Sequence, residues 1–277
     1  MAERRSRGGR RRDLRWRRGS GAASSFGRLM RGLPDRFVMV YGTPHRSLMW
    51  GFIGYCTLMT GLQVSPSTFG VVLILAALAV SWRASGNSIS ERMPAVSLLL
   101  LVALSGLVND FRLVGVVTAA AFVSTPVIAA IGNKRKNLVF GHALRVMVAW
   151  LPASLTAASL TVLAFRDSSC AGLLLSLVFV HDLGLGLGMR DRSRRHLAPF
   201  FGIIGALAIL WTSIQISASP ISPRWFWPFA LLVVVAISLG RIVMGLVSTD
   251  DDRDLKRFSS YFLVTPLWVL ANNVLFI

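Results

Sequence analysis

The chain has 277 residues, of which 54% are apolar and only 15% charged, against about 25% charged in an ordinary soluble domain. A net charge of +18 sits unevenly on it: residues 1–36 hold twelve arginines against Glu3, Asp13 and Asp35. This balance excludes a single soluble globular domain and divides the chain into a charged tail and an oily body.

The tail comes first. Residues 3–18 carry most of the arginines and few apolar side chains, too few to fold alone, so residues 1–25 are expected to be a disordered cytosolic tail. Its plain role is to fix topology and bind anionic lipid head groups, at about 1 kcal/mol per basic residue near the surface. Nucleic-acid binding by counterion release is the rival reading. Trp16 is the one stacking ring among those arginines, so aromatic interleaving is missing. Phe26, Leu29, Met30 and Leu33 then recur at helical spacing with Arg28 and Arg31 between them, up to Pro34. Residues 26–46 are therefore expected to form an interfacial amphipathic segment on the cytosolic leaflet.

Residues 47–277 read as a transmembrane bundle. A hydrocarbon core of ~30 Å needs about 20 apolar residues of helix, and only helices or closed barrels satisfy backbone polar groups in lipid. The runs are continuous rather than alternating, which excludes barrel strands. Spans are expected near 47–64, 69–82, 94–109, 113–131, 146–165, 170–188, 197–218, 225–247 and 259–277, with the second and third the shortest. The fold class is thus all-α: a polytopic membrane bundle of about nine helices. The first run begins about 46 residues in, too far behind the tail for a cleaved signal sequence, so its helix is expected to stay as an anchor. Cys56 and Cys170 lie in apolar stretches and read as buried thiols without a metal-ligand pattern.

Basic residues settle the expected orientation. With the tail in the cytosol, alternate connections carry Arg83 and Arg92; Lys134, Arg135, Lys136 and Arg145; Arg190, Arg192, Arg194 and Arg195; and Arg253, Lys256 and Arg257. The opposite side carries Arg112, Arg166 and Arg224. Cytosolic loops are enriched in Lys and Arg, and a wrong helix count would break the alternation. The C-terminus is then expected on the far side.

Ionisable groups within spans mark candidate sites, because each costs at least ~2.5 kcal/mol at a helix centre. His181 and Asp182 lie about two turns from the cytosolic end of the sixth span. Gly184, Gly186 and Gly188 follow, and permit close approach of backbone or ligand. A packed polar pair bonded to a neighbouring helix is the plainer reading of the two. Arg241, equally deep in the eighth span, either snorkels to the head groups or pairs with Asp182. Asp250, Asp251, Asp252 and Asp254 follow that span. Such carboxylates hold Mg²⁺ against a phosphate, or are simply solvated. Asn109, Asp110 and Arg112 read as an outer turn with an ion pair, Asn272 and Asn273 as glue between helices, and Pro126 and Pro266 as kinks. No P-loop, zinc spacing or Ser–His–Asp pattern is present.

Two stretches carry a family resemblance. The first runs His181-Asp182-Leu183-Gly184, Gly186, Gly188, Arg190 and then His196-Leu197-Ala198-Pro199; the second is Leu255-Lys256-Arg257-Phe258-Ser259-Ser260, six residues before Pro266. Together they resemble the CDP-diacylglycerol synthase (phosphatidate cytidylyltransferase) family over roughly residues 160–277. The family's terminal motif has acids where this chain has Lys256 and Ser259, and its Ser-Pro-Lys-Lys-Thr and Pro-Gly-His-Gly-Gly runs are missing. The resemblance implies about nine spans and a cytosol-facing site using divalent cations. Asp182, with His181, would be catalytic, Asp250, Asp251, Asp252 and Asp254 would hold Mg²⁺, and Arg190, Arg194 and Arg257 would pair with head-group oxygens. An inactive relative fits the same pattern. Two other function classes stay open. One is a non-enzymatic bacterial or viral scaffold or assembly protein, recruiting anionic lipid or nucleic acid through its tail. The other is a transporter, although no convincing internal repeat is visible.

Overall fold

The computed structural model describes residues 41, 48–85, 89–132, 139–189, 195–217, 219–247 and 255–275. Every secondary-structure element among them is helical. The chain runs α1 (Leu48–Val64), α2 (Pro66–Ala84), α3 (Ile89–Ser105), α4 (Phe111–Gly132), α5 (Val139–Arg166), α6 (Ser168–Gly188), α7 (Ala198–Gln215), α8 (Phe226–Val247), α9 (Leu255–Phe262) and α10 (Val264–Leu275). Apart from Tyr41, the residues expected to form the tail and the interfacial segment lie outside the described set.

Seven of these helices, α2 to α8, are long and apolar enough to cross a membrane. The two shortest expected spans, the second and third, are among them. The first expected span is α1, which has 17 residues. The ninth is not one helix but two, of eight and twelve residues. Pro266 accounts for the break. It has no N–H to donate to the carbonyl of Phe262, and its ring crowds that carbonyl. The helix stops at Phe262 and restarts at Val264. Thr265 Oγ1 donates to the Tyr261 carbonyl at 3.0 Å, so a side chain serves a backbone acceptor at the break.

Short polar caps make the turns. Ser65 alone joins α1 to α2: it sits in extended conformation before Pro66 and accepts from the Thr68 N–H at 3.0 Å. Asp167 alone joins α5 to α6, and its carboxylate accepts from the backbone N–H groups of Ser169 and Cys170. Between α3 and α4, Asn109 takes a left-handed conformation with φ 59°. Asp110 there caps α4 by accepting from the Arg112 backbone N–H at 2.9 Å, which is turn chemistry without an ion pair. The Leu197-Ala198-Pro199 stretch is the start of α7, with proline in the first turn.

Helix α5 is the axis of the bundle. It packs against α2, α3, α4, α6, α9 and α10, and 78% of its apolar window is buried, against 22% for α4. Helices α6 and α7 form the tightest pair. A Cβ on Gly184 would lie 2.6 Å from the Phe201 carbonyl oxygen, one on Gly188 2.7 Å from Ala198 Cα, and one on Gly202 2.8 Å from the His181 carbonyl oxygen. Only glycine admits backbones this close, the small-residue packing expected of helices within a bilayer. Of the two thiols expected to be buried, Cys170 is, with Asn272 Nδ2 donating to its sulfur at 3.2 Å. Cys56 faces outward from α1 instead; among the described helices α1 packs mainly against α2 and α6.

Candidate functional site: a buried charge centre between α6, α8 and α9

His181 and Asp182 lie on α6, Arg241 on α8 and Ser260 on α9. Asp182 is six residues before the end of α6, Arg241 six before the end of α8, and Ser260 five after the start of α9. At 1.5 Å per residue all three stand about 8–9 Å inside the helix ends. Gly240 brings Arg241 and Ser260 together. A Cβ there would lie 2.6 Å from the Ser259 carbonyl oxygen, so α9 presses its backbone onto α8 beside Arg241.

Asp182 Oδ1 is the hub. It accepts from Arg241 Nη1 at 2.6 Å, from Ser260 Oγ at 2.8 Å and from His181 Nδ1 at 3.0 Å. Ser260 closes a triangle: its hydroxyl oxygen also accepts from Arg241 Nη1 at 2.5 Å. The guanidinium Nε–H donates to the main-chain carbonyl of Tyr41 at 3.0 Å. The Tyr41 ring lies 5.3 Å from the guanidinium carbon, within cation–π range. The tyrosine hydroxyl meets His181 Nε2 at 2.9 Å and Ser238 Oγ at 3.5 Å. With Nδ1–H donating to a carboxylate, Nε2 is the acceptor for the Tyr41 O–H, and the network assigns a neutral imidazole with its proton on Nδ1.

The electrostatics follow from this geometry. A lone charge at this depth is costly, but here a carboxylate and a guanidinium cancel and their hydrogen-bonding capacity is largely met, the condition under which a buried pair is tolerated. The side chains of Arg241 and His181 are 1% exposed, whereas that of Asp182 is 35% exposed. The centre is therefore sealed on its basic side and open at the carboxylate. With Oδ1 committed to three donors, Asp182 offers an outside group its second oxygen.

Of the residues expected at the site, the structure joins His181 and Asp182 directly and resolves the two readings of Arg241 in favour of pairing. The three glycines after Asp182 were read as permitting approach of backbone or ligand; at Gly184 and Gly188 it is backbone, that of α7. Arg190, Arg194, Asp250, Asp251, Asp252 and Asp254 lie outside the described residues, as does the side chain of Arg257. Among the described residues no three or more His, Cys, Asp or Glu side chains gather as a metal site.

Sequence reasoning missed Tyr41, Ser238 and the role of Ser260. Tyr41 belongs to the segment expected on the membrane surface, yet it is 1% exposed, packed with Leu185 and Ala198 and touching Met189 and Ile242. Its partner His181 is 140 residues away, beyond any local pattern. Ser260 stands in the resemblance motif, which was the available signal.

Elsewhere the polar contacts are smaller. Glu91 on α3 pairs with His142 on α5 at 3.1 Å. At the far end Arg166 donates to Asn273, so the asparagines there do join helices. Comparison with protein-family models, with curated proteins and with solved structures finds no match to the chain.

Proposed function

We propose that this is an integral membrane protein of nine crossings, with its N-terminus in the cytosol, and that the Asp182–Arg241–Ser260 centre is the working site of an enzyme acting on a phospholipid or lipid-linked phosphate, related to the phosphatidate cytidylyltransferases. One observation carries the reading. The two stretches that resemble that family, 78 residues apart, meet in a single hydrogen bond between Ser260 and Asp182. Side chains of α6 and α8 meet there too, Arg241 with Asp182, which supports the expectation that these two spans adjoin; the acidic 250–254 stretch expected beside Asp182 lies outside the described residues. The enrichment of cytosolic loops in Lys and Arg supports a cytosolic position for this end of the bundle. Residues 190–194 follow α6 in sequence and residues 248–254 link α8 to α9, and the reading recruits Arg190, Arg194 and the four aspartates from these connections.

In this reading Asp182, held by Arg241, Ser260 and His181, presents one oxygen of fixed direction. Mg²⁺ bound with help from Asp250, Asp251, Asp252 or Asp254 would polarise a phosphate. Arg190, Arg194 or Arg257 would pair with its oxygens. The test is CTP- and Mg²⁺-dependent turnover of phosphatidic acid by purified protein beside Asp182→Asn. Turnover in the parent that the variant loses supports the reading; absence of turnover in folded parent protein overturns it.

A second reading draws on the glycine contacts and the self-satisfied network. A scaffold or assembly protein would use the charge centre purely to lock α6, α8 and α9 in register. It predicts a folded, catalytically silent protein whose function is lost on deleting residues 1–25.

A further inference from the structure

Asp182, Phe179 and Ser176 recur at every third residue of α6, so they follow one another along adjoining parts of its surface. The last two meet α1. The Tyr55 ring stacks on Phe179 with centroids 4.4 Å apart, and the Tyr55 hydroxyl lies 3.0 Å from Ser176 Oγ. Tyr261 of α9 is next in sequence to Ser260, and it stands within electrostatic reach of both Asp182 and Tyr55. It therefore bridges the open side of the charge centre and this aromatic contact. Helices α1 and α9 both border α6 but barely touch each other. The strip of α6 between them is a crevice, and its walls, Tyr55, Phe179 and Tyr261, are each half-buried. Two polar groups in it are uncommitted among the described residues. One is the second carboxylate oxygen of Asp182, on a side chain 35% exposed. The other is the Tyr261 hydroxyl, which has no hydrogen-bond partner there.

We propose that this crevice binds the uncharged hydroxyl head group of a membrane amphiphile, held between the open oxygen of Asp182 and the hydroxyl of Tyr261. Charge selects against ions. Asp182 and Arg241 already cancel, so an unaccompanied cation or anion would leave a net charge at this depth, which is costly. Hydrogen bonding selects the hydroxyl. A carboxylate oxygen only accepts, whereas a phenol donates or accepts. One hydroxyl satisfies both, donating to Asp182 and accepting from Tyr261, while an ester or ether has no hydrogen to give the carboxylate. Depth and surroundings select the source. Tyr55 is seven residues into α1, about 10 Å from its start, and Trp50, Phe52 and Ile53 at that end of α1 are exposed and apolar. A chain-bearing molecule reaches the site from the bilayer with its apolar part against α1. The inference needs no catalysis and stands apart from the enzyme reading, in which Mg²⁺ takes the same oxygen of Asp182.

The test is binding of radiolabelled dioctanoylglycerol to the purified full chain in detergent. EDTA is present throughout, so failure here leaves the enzyme reading to its own turnover assay. Saturable binding is expected. Capping the probe's hydroxyl with an acetyl group should weaken it about tenfold, the loss of one hydrogen bond to a charged acceptor. Tyr261→Phe should weaken the uncapped probe about fivefold. That variant removes only a hydroxyl that bonds nothing among the described residues, so the fold is undisturbed. Tyr55→Phe is the control and should stay within about twofold, because that hydroxyl is occupied by Ser176. Free glycerol at the same concentration should not displace the probe, which separates a membrane source from an aqueous one. No saturable binding, equal binding of the capped probe, or an unchanged affinity in Tyr261→Phe overturns the proposal. So does a loss in Tyr55→Phe as large as that in Tyr261→Phe, displacement by glycerol, or tighter binding of dioctanoyl phosphatidic acid that depends on Tyr261.

Discussion

Helices α4 and α5 are neighbours in sequence and in space, yet they solve the membrane in opposite ways. α4 turns Val116, Phe122, Val123, Val127 and Ile131 outward and buries little. α5 buries Ser154, Thr156, Ser159 and Thr161 and is the axis of the bundle. The greasier helix is the exposed one. Lipid is as apolar as leucine, so nothing drives apolar side chains inward; small and hydroxylated residues mark the interior because they let helices approach closely. The charge centre is the extreme case: Arg241 and His181 are among the best buried side chains of the bundle, and both have partners.

The sharpest way to break this contrast is to strip the centre of one partner. Arg241→Met leaves Asp182 uncompensated and should cost about 3–5 kcal/mol, seen as loss of monodisperse protein in detergent or a large fall in Tm. The double variant Arg241→Met with Asp182→Leu should recover most of that loss. A double variant as unstable as the single would show that the pair stabilises by more than mutual compensation.

Next in size is the α6–α7 seam. Gly184→Val places a side chain against the α7 backbone and should cost about 1–3 kcal/mol by overpacking, measured by thermal unfolding. Gly115→Val on α4, where a Cβ meets nothing within 4 Å, should leave Tm nearly unchanged. Similar losses at both sites would dissolve the distinction between interior and lipid-facing glycines.

Smaller still is the half-buried pair Glu91–His142. Glu91→Gln should cost about 0–1 kcal/mol, detectable as a Tm shift of a few degrees at most. Smallest are the hydroxyls of Thr156 and Ser159, which are buried without a hydrogen-bond partner. Thr156→Val and Ser159→Ala should be neutral or slightly stabilising, because an unpaired buried polar group costs free energy. A loss of more than about 1 kcal/mol in either would mean that a bound group normally satisfies it.

The body of the fold was legible because each span must satisfy its backbone alone, which imposes length and hydropathy that a sequence displays directly. Asp182 and His181 were legible for the same reason, since charge inside an apolar run stands out. Partnership was harder. Whether Arg241 snorkels or pairs depends on which side chains the neighbouring helices bring to it, and those lie 19 and 59 residues away in sequence. Tyr41 was opaque: an amphipathic aromatic in a polar segment looks the same on a membrane surface as in a socket. Pro266 announced a disturbance, but a kink and a full break share that signature, and neighbouring helices decide between them.

The order in which the chain is made gives the charge centre one more consequence. Asp182 leaves the ribosome 59 residues ahead of Arg241, and at about 5–20 residues per second that is a wait of roughly 3–12 s. Throughout it α6 carries an acid whose guanidinium partner has not yet been made, and a charged side chain at a helix centre is costly in lipid. Helices α9 and α10, each well under the ~20 residues that lipid demands, have to be stabilised by helices already in place if they enter the bilayer. Membrane integration of the last third of this protein is therefore an act of folding rather than a prelude to it.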